Sequence, residues 1–125
     1  MNKSFENTEI LKYIKNKNIE IHARSVFLQG LLLKKKIDDK RFKNFIKFLN
    51  IWHNQNKLSR LETSLNYINN NEYIDKFLVG VDNHHQINEI LTVKQKKIYK
   101  YPSYNNNFIK DPRKWSWIYD YSWIF

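Results

Sequence analysis

Residues Ile19 to Leu33 read Ile-Glu-Ile-His-Ala-Arg-Ser-Val-Phe-Leu-Gln-Gly-Leu-Leu-Leu, and this stretch decides the fold. It starts by alternating apolar and polar residues, becomes apolar, and contains Gly30, one of only two glycines in the chain. The pattern predicts a β-strand from Ile19 to about Phe27. Glycine allows a close approach to a bulky neighbour or a positive φ angle, and the sequence leaves both explanations open.

A second apolar run repeats this arrangement around the other glycine, Gly80. It predicts a strand from Ile74 to Val81, followed by a helix from Asn83 to about Tyr99. Because helices lie between and after the two strands, the order is typical of βαβ units. The sequence therefore predicts an α/β fold.

Three more helices are predicted from apolar spacing and capping signals. The first runs from Phe5 to Lys17, and the second begins near Asp38 and Asp39. The apolar face of the second contains Phe42, Phe45, Ile46, Leu49 and Trp52. The third begins with a capping box from Ser59 to Glu62, and its apolar face contains Leu61, Leu65 and Ile68.

Composition excludes several classes of function. No cysteine is present, which excludes disulfides and thiolate chemistry and permits a reducing, cytoplasmic location. No run reaches the roughly 18 apolar residues of a membrane span, so a soluble protein is expected. The net charge of +10 would ordinarily indicate nucleic acid or an anionic membrane. However, lysine far outnumbers arginine, and alanine occurs only at Ala23. AT-rich coding produces this bias without selection for binding, so we discount the charge as a signal for such partners.

Histidines and carboxylates form no catalytic or metal-binding motif. His84 and His85 are adjacent, so they cannot share a helix face as metal ligands at i and i+4 do. Neither a glycine-rich phosphate loop nor a serine nucleophile motif is present. We therefore predict no metal site and no catalytic residue.

Aromatic residues recur at every second position from Trp115 to Phe125, which is the period of a strand face. The segment 116–125 could cover a sheet edge, bind a partner or have no role.

Three motifs resemble the aldo/keto reductase family. Arg24 to Leu33 resembles the next-to-last barrel strand, and Leu78 to Asp82 with Gln86 to Ile90 resembles the last strand and the start of the last helix. Asp111 to Trp115 is similar to a proline–tryptophan ending of one bacterial branch. The resemblance implies a partial (β/α)8 barrel at residues 1–115, with the last two strand–helix units and a preceding helix, and an aromatic extension at 116–125.

Chain length gives this resemblance a consequence. A complete barrel needs about 250 residues, and this chain has 125. The family's catalytic aspartate, tyrosine, lysine and histidine belong to the earlier part of the barrel and have no counterpart here. We therefore expect a fragment of an NAD(P)H-dependent oxidoreductase that is inactive alone. A separately encoded amino-terminal half, or self-association, would complete it.

The resemblance also implies a set of cofactor-binding residues. These are Ser25, Phe27, Gly30, Gly80, Gln86 and Glu89. Ser25 matches a serine that contacts the cofactor pyrophosphate, whereas Arg24 stands where a tyrosine that stacks on the nicotinamide is common. Glu89 matches a residue on the adenine side. The family's arginine and lysine at this end are missing, so a preference for NADP over NAD is not supported.

Each of these residues also has a purely structural explanation. Ser25 could be a small polar residue at a strand end, the glycines could serve turns, and Glu89 could be a solvated helix residue. Three interpretations of the whole chain follow: a truncated, split or decaying reductase, a module that rebuilds a cofactor site with a partner, or a basic protein that binds nucleic acid or an anionic surface. We favour the first.

Overall fold

The chain folds as an α/β structure, seen in a computed structural model that describes residues 8–28 and 30–104. The elements are α1 (Thr8–Asn16), β1 (His22–Ala23), a 3₁₀ turn (Leu31–Leu33), α2 (Lys43–Asn56), α3 (Arg60–Asn69), β2 (Lys76–Phe77) and α4 (His84–Thr92). This order confirms the predicted four helices and two strands. The proline–tryptophan motif, the boundary at 115 and the aromatic tail lie outside the described residues.

The two strands pair in parallel, as a βαβ arrangement requires. His22 lies opposite Lys76, and Ala23 lies opposite Phe77. A parallel pair needs a long crossover connection, which α2 and α3 provide. The amide of Leu78 donates to the carbonyl of Ala23 at 3.0 Å and extends the pairing by one hydrogen bond.

Both strands are shorter than predicted. The backbone conformation after Ala23 explains why β1 ends early. The predicted strand from Ile19 to about Phe27 was wrong beyond Ala23, because Ser25 adopts a φ angle of 54° and Leu28 one of 47°. These left-handed conformations end an extended strand. The second prediction, Ile74 to Val81, was also too long. The described sheet contains only β1 and β2. Because β2 pairs only with β1 in the described residues, the early end of β1 also limits the length of β2.

Asp75 joins α1 to the start of the sheet. Its carboxylate accepts a hydrogen bond from the Ile21 amide at 2.8 Å and pairs with the Lys15 ammonium group. These two contacts lower the pKa of Asp75, the amide of Ile21 contributing most. The predicted first helix is confirmed from Thr8 to Asn16, while Phe5 to Asn7 lie outside the described residues.

The hydrophobic core lies between the 3₁₀ turn and the helices α2 and α3. Its buried residues are Leu31, Leu32, Phe42, Phe45, Ile46 and Leu49. The predicted face of α2 is thereby confirmed, with Trp52 half-buried at its edge. α2 begins at Lys43, later than predicted, because the Asp39 carboxylate binds the amide and guanidinium groups of Arg41 instead. The 3₁₀ turn was not predicted.

The capping box at the start of α3 is confirmed. The amide of Glu62 donates to the Ser59 hydroxyl at 3.0 Å, and the Ser59 amide donates to the Glu62 carboxylate at 2.8 Å. The Lys96 ammonium group also contacts this carboxylate at 2.8 Å. The contact with Lys96, followed by that with the Ser59 amide, lowers the pKa of Glu62 to about 2.

Residues 93–104, here called the strap, return across α3. The predicted helix up to Tyr99 was wrong beyond Thr92, because Val93 turns to an extended conformation. The side chain of Asn66, which is 0% exposed, binds the strap backbone. Its Nδ2 donates to the Lys94 carbonyl at 3.3 Å, and its Oδ1 accepts from the Lys96 backbone amide at 2.6 Å. The side chain of Asn66 thus makes hydrogen bonds to the strap backbone that a neighbouring strand would make in a sheet.

The end of the strap packs against the core. The ring of Tyr104 lies 5.4 Å from that of Phe45 and 5.2 Å from that of Phe48. Tyr101 meets Tyr67 edge to face at 5.0 Å. The strap therefore covers the outer side of α2 and α3.

The helices differ in how much they bury. α2 has 14 residues, three of them buried, whereas α4 has nine and none is buried. On α4, Leu91 is 76% exposed and Ile87 is 43% exposed. None of the described helices has the length and apolarity that crossing a membrane requires.

Candidate functional site

An open groove of about 1270 Å³ lies where the two parallel strands end. All six residues that the resemblance selected line it: Ser25, Phe27, Gly30, Gly80, Gln86 and Glu89. They come from two segments, residues 25–30 after β1 and residues 80–89 after β2, which are at least 50 positions apart and which the parallel pairing brings together. Their shared location is established by the structure, and their role in binding stays a prediction.

The loop after β1 forms one wall in a strained conformation. Ser25 is exposed, with its carbonyl accepting a hydrogen bond from the Leu28 amide at 2.8 Å. Both residues are left-handed, which is uncommon for residues other than glycine and asparagine. Such strain persists only where surrounding contacts hold it, and it is concentrated at binding sites. Val26, which lies between these two residues, is buried and lines the groove.

Gly30 and Gly80 are distinguished by backbone conformation. A Cβ atom added to either would meet no described protein atom within 4 Å, so no close approach of protein requires these glycines. Gly30 has a φ angle of 81°, and this positive angle explains glycine there. Gly80 has neither feature.

The amino terminus of α4 forms another wall. The amide of Gln86 donates to the Asn83 side chain at 3.1 Å, and the amide of Asp82 donates to the Gln86 side chain at 2.8 Å. Gln86 therefore stabilises the helix start as well as lining the groove. Glu89 is exposed, and its carboxylate lies 3.7 Å from the His85 ring.

Arg60 is a groove residue that the sequence analysis missed. It is the first residue of α3 and is only 7% exposed. Its guanidinium group donates to the Leu32 carbonyl at 3.1 Å and to the Asn50 side-chain oxygen at 2.7 Å. The only sequence signal was its place inside the capping box, where arginine is ordinarily solvated.

His53 lies next to Arg60 in the groove. Its Nδ1 is 3.1 Å from the Leu58 carbonyl, which can only accept, so this nitrogen carries the hydrogen. Burial, followed by the positive charge of Arg60, lowers the pKa of His53, so it is neutral at pH 7.

Among residues 8–28 and 30–104, no group of three His, Cys, Asp or Glu residues could hold a metal ion.

Charges in the groove differ between its walls. The cations are Arg24, Lys34, Lys35 and Arg60, and the carboxylates are Asp82 and Glu89. Both carboxylates belong to the α4 side, and three of the cations belong to the side of the 3₁₀ turn and α3. The arrangement can bind a ligand that has both an anionic part and hydroxyl or amino groups.

Comparison with known proteins identifies the family. The sequence model of the Aldo/keto reductase family matches residues 1–103, more than four fifths of the chain. No curated protein and no solved structure matches the chain significantly. Because the family match includes both strands and the whole groove, the chain belongs to the aldo/keto reductase family.

Proposed function

We propose that this chain forms part of the nicotinamide-cofactor-binding face of an aldo/keto reductase-like oxidoreductase. One observation carries the proposal: all six residues that the family resemblance selected line a single groove at the carboxyl ends of parallel strands. Barrel enzymes place their binding sites at this end of their strands. We propose further that the two strands are the last two of such a barrel.

The groove residues fit a dinucleotide. The Ser25 hydroxyl can bind a phosphate oxygen. The Glu89 carboxylate can accept hydrogen bonds from ribose hydroxyls or an adenine amino group. A volume of about 1270 Å³ exceeds the roughly 300–1,000 Å³ of ordinary small-molecule sites, as an extended ligand requires.

The carboxylates favour NAD over NADP. In the family, the positions of Gly80, Gln86 and Glu89 line the adenosine end of the cofactor, where NADP carries an additional phosphate. No lysine or arginine from residues 78–90 lines this part of the groove, whereas Asp82 and Glu89 do. Like charges repel, so we expect NAD⁺ to bind at least as tightly as NADP⁺.

The chain contributes binding rather than chemistry. When bound, a nicotinamide cofactor supplies or accepts the hydride. The family's tyrosine, which donates the proton, belongs to an earlier part of the barrel, and no tyrosine is among the described residues that line the groove. We therefore expect no carbonyl reduction by these residues alone.

The described sheet offers edges for completing a barrel. It contains two strands, so each has a side without a strand partner in the described part of the chain. Unpaired edges are sites for pairing with another chain. We propose that a polypeptide carrying the earlier strands, or a second copy of this chain, covers them, and that the assembly functions in the cytoplasm.

Titration with NADH tests cofactor binding. We expect a saturable change in NADH fluorescence on addition of the chain, weakened by Ser25→Ala and by Glu89→Gln. Matched controls are Ser103→Ala and Glu72→Gln, which alter exposed residues of the same types outside the groove. Absence of saturable binding by a folded chain, or equal effects of site and control variants, would contradict the proposal.

Turnover measurements test the proposal that this chain alone does not reduce carbonyl substrates. We expect NADH oxidation with carbonyl substrates to stay at the buffer rate for this chain, and to appear when a polypeptide with the family's earlier strands is added. Steady turnover by the chain alone would disprove the claim of inactivity.

A further inference from the structure

Arg60 is a buried cation with two neutral hydrogen-bond partners. Its guanidinium group has five N–H donors, and the contacts with Leu32 and Asn50 use two of them. Both acceptors are uncharged oxygens. The remaining donors have no partner among the described residues, although the side chain is more than nine-tenths buried.

The charge of Arg60 is not neutralised by a described carboxylate. Asp82 and Glu89 line the same groove, but neither forms an ion pair with it. Burial alone lowers the pKa of Arg60, with no opposing carboxylate contribution. Arg41 shows the contrast, since it is exposed and its contact with Asp39 raises its pKa. A buried, uncompensated cation is unfavourable, and an anion in the groove would stabilise it.

The neighbours of Arg60 favour an anion as well. Lys34 and Lys35 line the same side of the groove. His53 is neutral, so it neither repels an anion nor compensates Arg60. Of the two carboxylates, Glu89 belongs to α4 and Asp82 to the segment just before it, not to the 3₁₀ turn or α3.

We propose that Arg60, with Lys34 and Lys35, forms a subsite for the phosphate groups of the groove ligand. The identification of that ligand as a dinucleotide rests on the proposed function, in which case the subsite holds the pyrophosphate. Arg60 acts as a direct binding residue that α3 and the 3₁₀ turn hold in place. Two fixed hydrogen bonds orient the guanidinium fork and leave its other donors for phosphate oxygens.

Calorimetric titration of the intact chain with inorganic pyrophosphate, and separately with NAD⁺, tests the subsite. We expect Arg60→Met to weaken pyrophosphate binding about 10- to 100-fold, the loss typical of a charged hydrogen-bonding group. Arg60→Lys keeps the charge and loses the fork, so an intermediate effect is expected. Lys47→Met is the control, because it removes one positive charge from an exposed position of α2 outside the groove. We expect it to change affinity less than twofold.

A second variant guards against misfolding of Arg60→Met. Asn50→Asp places a carboxylate beside Arg60, where the present oxygen lies at 2.7 Å, and neutralises the cation without removing it. The change gives up the Asn50 hydrogen bond to the Lys35 carbonyl. Circular dichroism should report an unchanged helix content, and pyrophosphate affinity should fall at least tenfold.

The outcomes separate the subsite from the proposed function. Unchanged pyrophosphate binding in both Arg60→Met and Asn50→Asp, or no pyrophosphate binding by the folded chain, would overturn the subsite. NAD⁺ binding that does not depend on Arg60 would also overturn it while leaving the proposed function intact. Pyrophosphate binding through Arg60 without NAD⁺ binding would support the subsite and contradict the function.

Discussion

The chain has two regions that differ in packing. The helical region, made of the 3₁₀ turn, α2, α3 and the strap, contains the whole six-residue core. The sheet region, made of β1, β2 and α4, exposes apolar side chains: Leu78 is 56% exposed and Leu91 is 76% exposed. The groove lies between them and takes residues from both. Among the described residues, the helical region therefore has a buried core of its own, whereas the sheet region leaves large apolar side chains exposed.

The largest expected effect compares one residue type in the two regions. Phe42→Ala should cost about 3–5 kcal/mol in the free energy of unfolding, because Phe42 is 0% exposed within the core. Phe77→Ala should cost less than half as much, because Phe77 is only half-buried on β2. Urea denaturation followed by circular dichroism measures both. Equal costs would show that the two regions are packed alike.

Asn66 tests the attachment of the strap. Asn66→Ala leaves the Lys96 amide and the Lys94 carbonyl without their partner, so we expect a loss of about 1–3 kcal/mol. Hydrogen exchange should accelerate at residues 94–101. Asn69→Ala is the matched control, an exposed asparagine on the same helix. Unchanged exchange in Asn66→Ala would mean that other contacts hold the strap.

Acid tests the Glu62 carboxylate, which joins α3 to the strap within the helical region. The folded pKa of Glu62 is about 2, below its ordinary value of 4.5, so its contribution is complete above pH 4.5 and lost as pH falls towards 2. At pH 7 we expect Glu62→Gln to cost about 1 kcal/mol, a modest value because the carboxylate is partly exposed. The difference in free energy of unfolding between the two proteins should vanish between pH 4.5 and 2. A pH-independent difference would assign the effect to packing.

The smallest effect on stability is expected on α4. Leu91→Ser should change the free energy of unfolding by no more than about 0.5 kcal/mol, because the side chain is mostly exposed. If another barrel segment covers this face, self-association measured by sedimentation should decrease. Ile51→Ser on α2, 48% exposed, is the control and should leave association unchanged. A large loss of stability in Leu91→Ser would show that α4 packs within the chain.

Local signals predicted the helical region well. The 3.6-residue spacing identified the buried face of α2, and the pair Ser59 and Glu62 identified the start of α3. Both signals act within one or two helical turns, so neighbouring sequence is sufficient. The parallel pairing was also predicted, since alternating strands and helices leave few other arrangements.

Contacts between distant residues explain what sequence could not predict. The lengths of β1 and β2 depend on strand partners, and the end of α4 depends on Asn66, which lies 30 positions before Lys96. Arg60 is buried because it contacts Leu32, 28 positions earlier. The six groove residues were found through family resemblance, because their spacing alone gave equally good structural explanations.

The strap has a consequence for the synthesis of the protein. Tyr104 covers Phe45 and Phe48 but emerges from the ribosome after nearly 60 further residues have been made. At a translation rate of roughly 5–20 residues per second, the rings of Phe45 and Phe48 lack their contact with Tyr104 for about 3–12 s. During that interval the nascent chain presents aromatic surface that favours association with other chains, and the length of the interval depends on the speed of translation through residues 49–104.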